Sequence, residues 1–249
     1  MRVRSLRLLP FALSLAALGL PGAVGAGEKS GPRPMPAGAR PARAGASPTA
    51  GAAAWDIPAI GTIDQRVFDL ALGATNCAVR SGAVTDPSTL TVIDYSKPST
   101  EKRLWVFDLR ARELVYEELV AHGQGSGDNL ARRFSNEPDT HATSLGLFVT
   151  ADTYVGKNGY SLRLDGLDRG FNDRARDRAI VMHGAPYVNA ALAQAQGRLG
   201  RSWGCPALRD AVARDVIDLV KGGGLVFAYY PDRDWLAASR YLGGCAAAG

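Results

Sequence analysis

Cysteine and histidine are scarce in this chain, with three of each in 249 residues. No Cys-x-x-Cys or His-x-x-His spacing occurs, so no metal site is expected. No G-x-G-x-x-G is completed, and Gly125-Ser126-Gly127 lacks the Lys-Ser/Thr of a phosphate loop, so no cofactor is expected either. Beyond residue 20 there is no apolar run long enough to span a membrane, which takes about 20 residues. The net charge of +5 is also missing from most of the chain. Arg2, Arg4, Arg7, Lys29, Arg33, Arg40 and Arg43 stand against the single acid Glu28 in residues 1–54. Residues 55–249 keep 22 basic and 23 acidic residues. A nucleic-acid binder would carry its positive charge on the folded surface, so nucleic acid is excluded as a partner.

What is present at the start is an export pattern. Met1–Arg7 is cationic, Leu8–Leu20 is mostly apolar, and Val24-Gly25-Ala26 offers small residues to a signal peptidase. Residues 1–26 read as a signal peptide, too short in its apolar part for a membrane anchor. The expectation is an exported protein, periplasmic or extracellular, without stable membrane insertion after cleavage. Residues 27–54 are nearly all Gly, Ala, Pro, Ser, Thr and Arg without apolar periodicity, and read as a disordered tether.

The folded module is expected from Trp55, as one domain over 55–249. Thr62 and Gln65 form a capping-box pattern. Ile63, Val67, Leu70, Ala71, Ala74, Cys77 and Ala78 then recur at helical spacing up to Gly82. Seven short apolar or alternating runs follow: Leu90–Tyr95, Leu104–Leu109, Leu114–Val120, Leu145–Ala151, Ser161–Leu167, Ala179–His183 and Leu225–Tyr230. Their length and composition predict strands, the second and third joined as a hairpin. Asp210–Lys221 predicts a late helix stopped by Gly222. The fold class is therefore mainly β, a mixed sheet with flanking helices. Two polar stretches, Leu130–Thr143 and Asp168–Arg178, read either as solvated surface or as the walls of a binding groove.

Cys205 stands out from the other cysteines. It lies in Gly200-Arg201-Ser202-Trp203-Gly204-Cys205-Pro206, just before the late helix. Backbone N–H groups at such a turn favour a thiolate, and those of Gly204 and Cys205 could hold an oxyanion. A nucleophilic cysteine needs a base, and His183, at the tip of an apolar strand, is the candidate. His122 and Ser126 in a Gly-rich turn are either groove residues or part of a surface turn. His141 is expected to be solvent-exposed.

Val181-Met182-His183-Gly184, followed by Ser202-Trp203-Gly204-Cys205, resembles the murein L,D-transpeptidase catalytic domain family, with its YkuD-like fold. The family pattern is His-Gly, a gap, then Ser/Thr-His-Gly-Cys; here Trp203 stands where the second His would be. The likeness extends over about residues 88–232. It includes Ala121-His122-Gly123-Gln124-Gly125-Ser126-Gly127, Phe134-Ser135-Asn136 and Ser144-Leu145-Gly146. The resemblance implies a mixed β-sandwich or barrel and a two-step acyl transfer on peptidoglycan stem peptides. Cys205 would attack the bond before the terminal D-alanine of a tetrapeptide. His183 would carry the proton, with the Gly184 backbone orienting it, and an amine of a second stem would complete a 3–3 cross-link. Arg201, Ser202, Trp203, His122 and Ser126 would contact substrate. Covalent inhibition by carbapenems would follow. Water as acceptor would make the same site an L,D-carboxypeptidase, and loss of the second His leaves an inactive wall-binding module as the rival reading. Cys77 and Cys245 either form a disulfide or stay free, and the oligomeric state is not legible.

Overall fold

The computed structural model describes residues 55–243 and Cys245. The signal peptide and tether expected at 1–26 and 27–54 lie outside these described residues.

After a single 3-10 turn at Ile57–Ile60, α1 runs Gln65–Arg80. The capping box does not form. Asp64 is the N-cap, its carboxylate accepting from the N–H groups of Arg66 and Val67, and Thr62 donates to Glu117 instead. An ionised carboxylate at this position also meets the positive end of the helix dipole, which a hydroxyl cannot match. The helix buries Val67, Phe68, Ala71, Ala74, Cys77 and Ala78, close to the expected stripe.

The strands follow as β1 Thr89–Asp94, β2 Leu104–Asp108, β3 Glu113–Glu118, β4 Val120–Ala121, β5 Gly146–Gly156, β6 Gly159–Gly166 and β7 Val181–Gly184. The chain then runs through α2 Ala190–Gln196, β8 Ala207–Leu208, α3 Asp210–Val220, β9 Leu225–Tyr229 and α4 Arg233–Ala238. The sheet order is β3-β2-β1-β9-β5-β6-β7-β8-β4. The pairs β1–β9 and β7–β8 are parallel and the others antiparallel, so the sheet is mixed as expected. Its two edge strands, β3 and β4, are separated in sequence by Leu119 alone. The chain thus joins the opposite edges, and the sheet is nearly closed, like a barrel.

Strand β1 is buried along its whole length because it lies inside the sheet, between β2 and β9, with α1 and α3 packed against it. That position explains its continuous Leu-Thr-Val-Ile character. The main core gathers Phe68, Trp105, Phe107, Leu147, Phe227 and Trp235. A smaller cluster of Ala121, Ala185, Val188, Leu199 and Ala207 lies around the β4–β8 edge, with Tyr187 packed on it.

Three expectations needed correction. Ala179 does not belong to a strand, because its φ of +52° is outside extended geometry. Strands β5 and β6 run past the expected ends into a ribbon whose exposed outer residues carry no core-facing pattern. The strand expected over Leu114–Val120 breaks at Leu119 into β3 and β4, and the two-residue strand β8 and the helices α2 and α4 were not anticipated; each of these is too short to show periodicity. Cys77 and Cys245 form a disulfide, with Cα atoms 5.3 Å apart, tying α1 to the C-terminal tail. No helix among the described residues is long and apolar enough to cross a membrane.

Candidate active site

The late helix and the short strand before it bring the two motif halves together. Strand β8 lies parallel to β7, with Ala207 opposite His183 and Leu208 opposite Gly184. Cys205 precedes this pairing by two residues and reaches the start of β7, where its Sγ accepts the Val181 N–H at 3.5 Å. The Ala179 carbonyl accepts from the same sulfur at 3.7 Å. Two segments 22 residues apart in sequence thus meet on neighbouring parallel strands.

The loop carrying Cys205 is held from inside. Ser202 Oγ donates to the Cys205 carbonyl at 2.6 Å and accepts the Gly204 N–H at 3.1 Å. The Ser202 hydroxyl is buried, and these two bonds shape the loop. Gly204 has φ +117°, and a β-carbon there would lie 2.9 Å from both the Ala142 carbonyl oxygen and Ile180 Cδ1. Only glycine fits such a position. The oxyanion pair expected from Gly204 and Cys205 is also altered. The Gly204 amide is spent on Ser202, while that of Cys205 has no partner among the described residues besides its own sulfur.

His183 is buried, and its Nδ1 lies 2.8 Å from the Gly184 carbonyl. A carbonyl only accepts, so the Nδ1 proton is fixed and Nε2 is the free basic nitrogen. Burial holds this imidazole below the ordinary histidine range, partly offset by the Gly184 hydrogen bond and by Asp210. Burial pushes the Cys205 thiol up, opposed by the Val181 N–H and by Arg178. Both directions favour the neutral thiol and neutral imidazole at rest. A β-carbon on Gly184 would meet Asp210 Oδ1 at 2.7 Å and Ala213 Cβ at 3.0 Å, so this glycine lets α3 pack close against β7.

The remaining candidates divide. Trp203 is 66% exposed and stacks on His141 with ring centroids 4.7 Å apart and planes 10° from parallel. Lys157, from the ribbon tip, lies 6.0 Å from the Trp203 ring, and Gln124 bonds His141 Nδ1 at 2.9 Å. His141 is thus half-buried in a stack and not free in solvent. Arg201 is turned to the Gly127 carbonyl and the Asp128 carboxylate, at 2.9 and 3.0 Å.

His122 and Ser126 do not line an open groove. Both are buried. Arg103 can only donate, so the 2.8 Å contact makes His122 Nδ1 the acceptor, and Nε2–H points to the Gly127 carbonyl. Burial, with the neighbouring guanidinium, lowers His122 to about 4. Ser126 Oγ accepts the Thr143 N–H at 2.9 Å. Their Gly-rich surroundings permit close backbone packing, a role that the sequence motif does not distinguish from exposure.

Sequence reasoning missed Thr143, Arg178, Tyr187 and Asp210. Thr143 Oγ1 accepts the Gly123 N–H and donates to the Gly204 carbonyl, joining the Gly-rich turn to the cysteine loop. Arg178 was one charge among many in its segment, and its neighbours appear only in three dimensions. Tyr187 packs against Gly200, and burial pushes its hydroxyl up to about 12.

Residues 60–229 match a family model described as an L,D-transpeptidase catalytic domain. No curated protein matches the chain. Among solved structures, the chain is similar to an L,D-transpeptidase from Mycobacterium smegmatis, at 15% identity and TM-score 0.35, over 57% of this chain and 59% of that one. It is also similar to an L,D-transpeptidase from Stackebrandtia nassauensis, at 13% identity and TM-score 0.36, over 66% and 68% of the two chains. L,D-transpeptidase 3 from Mycobacterium tuberculosis shows 15% identity and TM-score 0.36, over 58% of this chain and 62% of that one. The chain therefore spans 59% of the length of the first of these structures.

Proposed function

Since the chain belongs to the L,D-transpeptidase catalytic domain family, we propose that it forms 3–3 cross-links between peptidoglycan tetrapeptide stems through a cysteinyl acyl-enzyme. The observation that carries this reading is the β7–β8 register, which sets Cys205 beside the strand of His183, with Nε2 left as the free base.

In the first step Cys205 Sγ attacks the carbonyl of the third stem residue, and His183 Nε2 takes the thiol proton. The developing oxyanion is met by the Cys205 N–H. Collapse expels the terminal D-alanine, whose amine takes the proton from His183, and leaves a thioester. In the second step a side-chain amine of another stem attacks the thioester, His183 accepts its proton, and the thiol is regenerated. Trp203 is the exposed surface beside Cys205 where a stem would lie. Export to the periplasm or the extracellular wall, through residues 1–26 with 27–54 as spacer, places the enzyme with this substrate.

The test is mass spectrometry of the purified protein incubated with disaccharide-tetrapeptide, alongside Cys205→Ala. A cross-linked dimer and free D-alanine made only by the wild type are expected. Tripeptide and D-alanine without dimer would make water the acceptor and the enzyme an L,D-carboxypeptidase. Product formation by Cys205→Ala would remove the nucleophile assignment. No product from either protein, on this substrate or on sacculus fragments, would favour a wall-binding module.

A further inference from the structure

Two of the four arginines in the charge-dense segment 168–178 pair with carboxylates outside it. Arg174 pairs with Glu137 at 2.6 Å, and Arg176 with Asp165 at 2.5 Å and Asp152 at 3.7 Å. Asp168 is buried, bound by the Leu147 N–H and the Ser239 hydroxyl. Arg178 is different. It is half-buried, and its guanidinium donates only to neutral acceptors. These are the carbonyls of Ser135 and Ala142, at 2.6 and 2.7 Å, and the hydroxyls of Ser144 and Thr140, at 2.5 and 3.4 Å. No carboxylate among the described residues lies within ion-pair distance of it, and Glu137 is already bonded to Arg174.

This unpaired cation is linked to the Cys205 loop through two neighbouring backbone carbonyls. The residue after it, Ala179, accepts from Cys205 Sγ, and is held at φ +52°, a region that a β-carbon resists. The Ala142 carbonyl bound by Arg178 also packs against Gly204, immediately before the nucleophile. The other titratable groups facing Cys205 are Tyr95 and Tyr187, both kept neutral by burial. His183 lies on the adjoining strand, with Asp210 beside it. Arg174 is the other cation near Arg178.

We propose that Arg178 is a positioning residue that supplies the fixed positive charge favouring the Cys205 thiolate, while its hydrogen bonds hold the loop wall beside the sulfur. A cation near a thiol stabilises the charged form, and its effect grows where water is excluded. The Val181 N–H donated to the sulfur works in the same direction, and Arg178 adds a full positive charge to it. The proposal rests on the reading of Cys205 as nucleophile and deepens it.

The test is a titration of Cys205 in the full protein carrying [3-13C]cysteine, read from the Cβ chemical shift; the disulfide carbons of Cys77 and Cys245 do not titrate. Arg178→Gln, checked for a folded near-UV spectrum, is expected to raise the Cys205 midpoint by about one pH unit, a tenfold loss of thiolate. Arg178→Lys should return most of that shift. If Arg178→Gln does not fold, citrulline at position 178, which keeps the planar head group and one of its two terminal NH2 donors without the charge, takes its place. An unchanged midpoint in the folded neutral variant overturns the proposal, as does a lysine variant shifted as far as the neutral one. Failure of the nucleophile reading shows separately, as wild-type turnover surviving Cys205→Ala.

Discussion

His183 Nδ1 donates to the carbonyl of its own neighbour, Gly184, across 2.8 Å. The bond needs nothing but the local turn of the backbone, yet it settles which nitrogen can act as a base. Many Cys–His sites use a separate side chain to orient the imidazole. Here the chain does it with one residue, and the close approach of α3 keeps that residue a glycine.

Gly184→Ala tests this arrangement. The added methyl would crowd Asp210 and Ala213 and push β7 from α3. A loss of about 1–3 kcal/mol of stability, typical of overpacking, is expected. Turnover should fall by at least about tenfold at a temperature where the variant is folded, because a small displacement of the base is costly. Parallel denaturant melts and steady-state rates would check it; unchanged turnover would mean that the Gly184 packing does not position His183.

Acid should weaken the fold through His122. Its folded value of about 4 lies below the ordinary histidine value of 6.5, so between these pH values the unfolded chain binds more protons. Stability is then complete above pH 6.5 and is lost as pH falls towards about 4. The upper bound for this one group is about 3 kcal/mol. His183 acts in the same direction. Urea midpoints at pH 7 and pH 4.5 should differ less in His122→Asn than in the wild type. An equal pH dependence would show that His122 does not carry the effect.

The disulfide predicts one free thiol in the denatured, unreduced protein and three after reduction. Closing a loop of 168 residues stabilises by about 5 kcal/mol in the chain-entropy account, an upper figure. Cys77→Ser should therefore lower the melting temperature strongly while leaving Cys205 chemistry in place. Three thiols without reductant would contradict the pairing.

Trp203 should matter to substrate and little to stability. An exposed aromatic stacked on one partner contributes about 0.5–1.5 kcal/mol, so Trp203→Ala should shift the melting temperature by only a few degrees. Its effect is expected in KM more than in kcat. A large drop in melting temperature with unchanged KM would make the stack purely structural.

Much of this was legible from residue order alone. Burial forces apolar residues into period, so α1, α3 and the longer strands declared themselves, and with them the mixed β architecture. Cys205 and His183 were marked by their settings: a lone thiol among glycines before a helix, and an imidazole at a strand tip. Other features depended on how the chain folds back on itself. His122 read equally as a groove residue or as part of a surface turn, because a Gly-rich turn looks the same whether it faces water or Arg103. Ser202 and the Gly204 amide looked available until the loop folded back and bonded them to each other. Strands β4 and β8 have two residues each and exist only through pairing, β4 with β8 and β8 with β7. Residue order alone thus determined which groups could do chemistry, since that depends on side-chain type and local backbone. The tertiary structure decided which of them are spent or free, because burial and hydrogen-bond partners are set only when the chain has folded.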